Sequence, residues 1–396
     1  MKPFRIVLVM IEPPVPFGNA AARWYYSMYR ELVARGHEVT AFAACSKPKE
    51  AEAAKDFFTR PDYDLRCYTP RESRGMKAKW QTFRQPHSYM LSANLREDLR
   101  RRLELPYDVL HLEQLWCGWL GLDHVDRALL NVHYLASIDL ALCPLRNLHD
   151  RITRRAMLAA ERRLGRSFRH LLTCSDRLAG TLRQMNPQAT IRSTALTLDL
   201  SQYEYMERSG QERGPVISLI GNMNWYPTTS AAERLLSRLW PSIKARVPAA
   251  RLQLVGWNAR RLFSRYANPP DVTIEENVAE IRPYFRNSAV LLYAPRRGSG
   301  MKIKVLEALA FGVPVVTTSE GVEGLPAVDG VHAGISDTDE GLVERAVDLL
   351  NDRAKQERQR EQGRRLVEEV CDPAKSVDTL EEIYTTIVGS THARRI

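Results

Sequence analysis

Seven residues within a stretch of ten carry the densest chemistry in this chain: Gly298, Ser299, Gly300, Met301, Lys302, Lys304 and Glu307. Two glycines let the backbone come close to a ligand, and a helix opening near Met301 turns its unpaired N–H groups toward that ligand. Lys302 and Lys304 add positive charge where the helix dipole already favours an anion. The combination predicts a phosphate cradle. Residues two apart on a helix face different ways, so if the helix has begun by Lys302, one lysine reaches the phosphates directly. Glu307 lies one turn beyond Lys304, placed either to accept hydrogen bonds from ribose hydroxyls or to pair with that lysine. A G-x-G before a helix is equally the pattern of a tight turn, and its surroundings have to decide.

Those surroundings are an alternation of strand-length apolar runs with longer helical segments, the pattern of a parallel sheet covered by helices on both faces. The first unit reads as a strand at 5–11, a loop at 12–19, a helix at 20–34, a stop at Arg35-Gly36 and a strand at 37–43. Further strands are expected at 63–68, 108–112, 128–133, 170–174 and 190–196. A polar, Gly/Pro-containing linker at 209–215 precedes a second series of strands at 216–220, 251–255, 272–275, 289–293 and 313–318. The tail from 340 to 388 is expected to be helical, with 355–365 a solvated, charged face. The reading is α/β: an N-terminal domain at 1–205, a C-terminal domain at 206–372, and a last helix at 373–396 packing back on the first domain. The cradle follows the 289–293 strand, at the carboxyl end where open α/β sheets bind ligands. Gly18 follows the first strand, His133 ends the 128–133 strand, and Asn222, Met223 and Asn224 follow the 216–220 strand.

The continuation of the cradle, K-I-K-V-L-E-A-L-A-F-G-V-P-V-V-T-T at 302–318, resembles the donor-site signature of family 4 retaining glycosyltransferases. It is closest to the bacterial branch written G-x-G-x-[RK]-x-K-x-L-E-A-L-A-x-G-x-P-V-V-x-T. Segments 35–40, 107–111, 131–133, 221–227 and 241–256 also follow family habits, so the similarity covers most of the chain and is most specific over 298–325. The resemblance implies a GT-B fold, two Rossmann-like doubly wound domains facing a cleft. It implies sugar transfer from a nucleotide-diphosphate donor with retention of configuration and without a metal. The donor diphosphate is then expected against Lys302, Lys304 and the amides after Gly300, with Glu307 on the ribose and His133 near the reacting sugar. Gly18 would bound the diphosphate and sugar, Asn222 and Met223 would line the donor pocket, and the backbone around Val278 would read the base. The family commonly carries a second glutamate eight positions before Glu307, near the donor sugar; Ser299 stands there.

Composition limits the alternatives. The net charge of +10 favours anionic partners. No zinc-finger, RNP-like or helix-turn-helix pattern supports a nucleic acid among them. The six cysteines are scattered, with no C-x-x-C pair, which fits a reducing cytoplasm and excludes a structural zinc. No cofactor is expected beyond the nucleotide sugar, and no apolar run is long enough to cross a bilayer. Arg71, Arg74, Lys77, Lys79 and Arg84, interleaved with Met76, Trp80 and Phe83 and continued by Arg96 and Arg100 to Arg102, form a basic amphipathic stretch. That stretch is either a solvated helix face or a surface for anionic lipid, presenting a lipid-linked or glycan acceptor at the inner face of the plasma membrane. A sugar-nucleotide epimerase and a non-catalytic nucleotide-sugar binder are the competing functions.

Overall fold

A computed structural model describes residues 2–70, 76–206 and 214–393. Most of the expected linker, and Arg71 and Arg74 of the basic stretch, lie outside the described residues, as do the side chains of Met76, Lys77 and Lys79.

Two parallel sheets organise the chain. In the first, β1 (Arg5–Met10), β2 (Glu38–Ala44), β3 (Asp64–Tyr68), β4 (Val109–Glu113), β5 (Ala128–Val132), β6 (His170–Thr173) and β7 (Thr190–Ser193) take the order β3-β2-β1-β4-β5-β6-β7. In the second, β8 (Val216–Ile220), β9 (Arg251–Val255), β10 (Val272–Glu275), β11 (Val290–Tyr293), β12 (Val315–Thr317) and β13 (Gly334–Ile335) take the order β10-β9-β8-β11-β12-β13. Both are doubly wound, with the direction of winding reversing between β1 and β4 and between β8 and β11. Connections diverge at such a switch point, which opens a crevice at the carboxyl ends of its strands.

The central strands are continuous apolar runs because helices cover both faces: Ile6 to Met10 and Val290 to Tyr293 are fully buried. Each such aliphatic side chain stabilises the fold by about 1.5–3 kcal/mol. An aspartate at Leu8 or Leu291 would place an unpaired charge between two packed layers and prevent folding.

The chain forms two compact units, one of Met1–Ser137, Pro144–Asp199 and Cys371–Ile396, the other of Ile138–Cys143 and Leu200–Val370. The last helix, Pro373–Ala393, belongs to the first unit. There the buried Tyr384 hydroxyl lies 2.7 Å from His111 Nδ1, while Glu381 takes up Arg35 and His37, each at 2.9 Å.

Two sequence expectations are corrected, and one short strand goes unread. The cradle helix is Ile303–Ala310, not a helix from Met301, because Gly300 is left-handed at φ +71° and Lys302 is extended. The 355–365 face is not solvated throughout: Arg360 in the helix Arg353–Val370 is 1% exposed. It donates to the carbonyls of Gly312 and Met206, and Arg364 donates to those of Ala310 and Tyr203, so both close the orphan carbonyls after Ile303–Ala310. The two-residue β13 is too short to leave a periodic signal.

Candidate active site

In the second unit, the loop after β11 leads into the cradle, and the glycines make room for the lysines. A Cβ on Gly221, just past β8, would stand 2.7 Å from Lys304 Cε, and one on Gly298 would stand 3.3 Å from Lys302 Cε. Lys304 Nζ donates to Thr228 Oγ1 at 3.2 Å and sits 4.3 Å from the centre of the Tyr293 ring. Burial, reinforced by the charge of Lys302, pulls its pKa down to about 7. Lys302 precedes the helix as its N-cap, donates to the Gly300 carbonyl and lies 3.8 Å from Glu323 Oε2. With the helix start displaced, Lys302 turns back to the loop, while Lys304 in the first turn is directed at Thr228 and the Tyr293 ring.

Carboxylates hold the amides of this loop. Gly298 N–H donates to Glu320 Oε2 at 3.1 Å, and the Ser299 N–H and hydroxyl both donate to Asp139 Oδ1, the hydroxyl at 2.8 Å. The Gly298 and Ser299 amides are thereby taken up by carboxylates, so the groups of this site that suit an anion are the ammonium groups of Lys302 and Lys304. Glu307 is 5% exposed and accepts from the Tyr203 hydroxyl at 3.4 Å. Met301 is buried beside the lysines.

The remaining candidates in this unit are more dispersed in role. Asn222 is exposed and its side chain accepts from the Asn224 amide at 2.9 Å, closing a turn; Met223 is 1% exposed and belongs to the core. Val278 is half-buried in a loop that leaves β10 through Asn277, at φ +55°, and the helix after it starts only at Arg282.

In the first unit, a buried carboxylate organises the switch point. Glu113, the last residue of β4, is wholly buried. It accepts from Trp24 Nε1 at 3.1 Å, Asn131 Nδ2 at 3.1 Å and His133 Nε2 at 2.7 Å, with His111 Nε2 3.0 Å away. Burial by itself would raise this carboxyl, but the hydrogen bonds and charges of His111 and His133 outweigh it and hold Glu113 well below the usual carboxylate range. His133, just past β5 and 8% exposed, is therefore fixed by its Nε2–H, which leaves Nδ1 as the acceptor of the neutral ring. Gly18, after β1, is exposed with φ +88° and open space where a Cβ would stand, so conformation is what requires glycine there. Glu12, in the same loop, is pushed up by burial, partly offset by a hydrogen bond with Asn19.

The sequence reading names His133 and the cradle and assigns no role to the carboxylates Glu113, Asp139, Glu320 and Glu323, which the structure sets against them. Glu113 had a signal, an acid ending an apolar strand two residues after His111. Asp139 had none, because it lies 160 residues from the serine it holds.

Two family models match the chain, one on each sheet: a glycosyl transferase 4-like domain over residues 20–192 and glycosyl transferases group 1 over residues 214–352. A comparison with curated protein sequences gives no match. Among solved structures, sucrose-phosphate synthase from Thermosynechococcus elongatus is similar with a TM-score of 0.70 and 16% identity, over 96% of this chain and 98% of that one. HepE of Anabaena, in complex with UDP and glucose, has a TM-score of 0.67 and 12% identity over 96% and 100% of the two chains. WaaG, a glycosyltransferase of lipopolysaccharide biosynthesis, has a TM-score of 0.67 and 15% identity over 94% and 99%. Identities this low establish the fold alone, two Rossmann-like domains of GT-B architecture. Joined to the domain matches on both sheets, they make this chain a glycosyltransferase of the GT-B type.

Proposed function

We propose that the chain transfers a sugar from a nucleotide-diphosphate donor to a glycan or lipid-linked acceptor with retention of configuration. The observation that carries this reading is the cradle at 298–304, where Lys302 and Lys304 flank the start of the helix that carries the buried Glu307, after β11 at the β8/β11 switch point. Diphosphate departure builds negative charge, and fixed ammonium and amide donors stabilise such charge without reorganising. Lys302 and Lys304 take the place of a divalent cation in this scheme, so transfer proceeds in the presence of a chelator. Glu307 accepts from the ribose hydroxyls, and the loop at 277–281 with Val278 takes the base.

His133 acts on the reacting sugar. Its Nδ1 lone pair, set by Glu113, accepts a hydrogen bond from a sugar or acceptor hydroxyl and orients it. Retention requires the acceptor on the same face of the sugar as the departing diphosphate, and the side chains that hold it there are the acceptor-specificity residues.

The test is a thermal-shift panel of UDP-, GDP-, TDP- and ADP-sugars, with Lys302→Ala and Glu307→Ala beside the parent chain, since a ligand selective for the folded state raises its stability. HepE has been solved with UDP and with UDP-glucose, so uridine donors head the panel. A shift lost in both variants supports the assignment. A shift retained in both, or none with any donor, removes its basis.

A further inference from the structure

The carboxylate of Asp139 has one oxygen fully engaged and the other without a partner. Oδ1 accepts from both the amide and the hydroxyl of Ser299. Oδ2 is buried and has no hydrogen-bond partner among the described residues. The residue is wholly buried, and burial pushes its pKa up to about 6, against the opposing hydrogen bonds of Ser299 and the charge of Lys302. A buried acceptor left without a partner is destabilising, more so when it is charged, so its retention needs a reason.

Its placement supplies one. The segment Ile138–Cys143 packs within the second unit although the chain on either side of it belongs to the first. Two hydrogen bonds from a single serine fix the carboxyl group in one orientation at the middle of the G-S-G loop, beside Lys302. The lysines there suit phosphate oxygens; a carboxylate oxygen repels phosphate and suits a hydroxyl donor. The part of a nucleotide sugar that lies beyond the diphosphate and carries hydroxyl donors is the sugar itself.

We infer that Asp139, held by Ser299, is the residue that reads a hydroxyl of the donor sugar through Oδ2. Ser299 is then a positioning residue, which ties the carboxylate to the cradle by its amide and hydroxyl. The inference rests on the donor-site reading above and adds to it the group that distinguishes a nucleotide sugar from the bare nucleotide.

The experiment compares two probes by titration calorimetry: the nucleoside diphosphate that most stabilises the parent chain, and its glucose conjugate. In Asp139→Asn the bare nucleoside diphosphate keeps its affinity within about twofold, while the conjugate loses about tenfold or more, the loss of a hydrogen bond to a charged acceptor. Ser299→Ala, which removes one of the two bonds that orient the carboxylate, shows the same selective loss to a smaller degree. Thermal unfolding without ligand checks that each variant folds; should Asp139→Asn fail to fold, Asp139→Ser and Ser299→Ala carry the comparison. Equal losses for both probes, or none for either, would overturn the role of Asp139 while leaving the donor site standing. If the parent chain binds no nucleoside diphosphate, both the donor site and this inference fall.

Discussion

His133 Nε2 stands 2.7 Å from Glu113 Oε2, and that single contact decides which ring nitrogen the histidine offers. A buried carboxylate accepts and does not donate, so Nε2 carries a proton, and the neutral form of the ring keeps its lone pair on Nδ1. Glu113 is in turn held by Trp24 and Asn131, which fixes the ring as well as its tautomer.

Glu113→Gln separates charge from shape. A glutamine amide faces donors on every side with two donors of its own, so some hydrogen bonds are lost and a folded-state penalty of about 2–4 kcal/mol is expected. Transfer falls more than donor binding, because the cradle is untouched; initial rates and donor affinity measured on the same preparation check this. The carboxyl is depressed in the folded chain, so its stabilisation is present above the ordinary carboxylate pKa and lost as pH falls below it. Acid unfolding of the parent should therefore be steeper than that of Glu113→Gln.

Lys304 shows the opposite linkage. Its pKa falls from an ordinary 10.5 to about 7, so folding disfavours the charged form. The penalty is full below about pH 7 and disappears as pH rises toward 10.5. Lys304→Met should raise the unliganded Tm by roughly 2 °C or more while abolishing the nucleotide-sugar shift. A diphosphate restores the charged form, so its binding above neutral pH takes up a proton. Calorimetric enthalpies measured in buffers of different ionisation heat give that uptake directly, and Lys304→Met should lose it.

These two sites differ in how far they were legible beforehand. The cradle was legible because its glycines, lysines and glutamate are contiguous and follow an unmistakable strand; only the helix start was misplaced, since a left-handed Gly300 postpones it. The strands were placed within a few residues because burial on both faces leaves near-continuous apolar runs. The acids were not legible. Glu320 and Glu323 fall within the 298–325 segment, but their partners are set by contacts made across the fold, and nothing in the sequence around Asp139 distinguishes it from a surface carboxylate. Arg360 misled for the same reason: in a segment of charged residues, only the packed structure shows which arginine turns inward to carbonyls.

The ribose assignment gives a prediction of its own. Glu307→Gln keeps the volume and the contact with Tyr203 but loses the charge, so a nucleotide should bind about tenfold more weakly. The corresponding 2′-deoxynucleotide or 3′-deoxynucleotide should lose less on the same substitution, because part of the lost interaction is absent from it. Equal losses for all three would place Glu307 outside the ribose site.

Of the two readings of the basic stretch, a solvated helix face or a lipid-facing surface, the ion pairs favour the first over part of its length. Arg100 and Arg101 are paired with Glu97, Arg100 also with Glu104, and Arg96 donates to the Leu91 and Ser88 carbonyls, so this part of the stretch is internally matched. Arg84, Arg155 and Arg163 instead border an apolar groove of about 470 Å³ lined by Phe83, Trp119, Ile152 and three alanines, and no carboxylate pairs with them among the described residues. Phe83 and Ile152 are 47% and 42% exposed, and Trp80, stacked on Arg84, is 58% exposed. In the helix Leu148–Ser167, Asp150 is engaged by the Arg146 amide and Glu161 by the Ser137 amide, which leaves the outward face basic. Aromatic and aliphatic tips beside unpaired arginines suit an anionic phospholipid surface, each arginine near it contributing about 1 kcal/mol. Cosedimentation with phosphatidylcholine vesicles should be negligible, and adding phosphatidylglycerol should recruit the protein in a salt-sensitive way. Arg84→Glu with Arg155→Glu should release it, and Ile152→Asp should weaken it with every arginine intact. Recruitment that survives both variants would assign the membrane to another face.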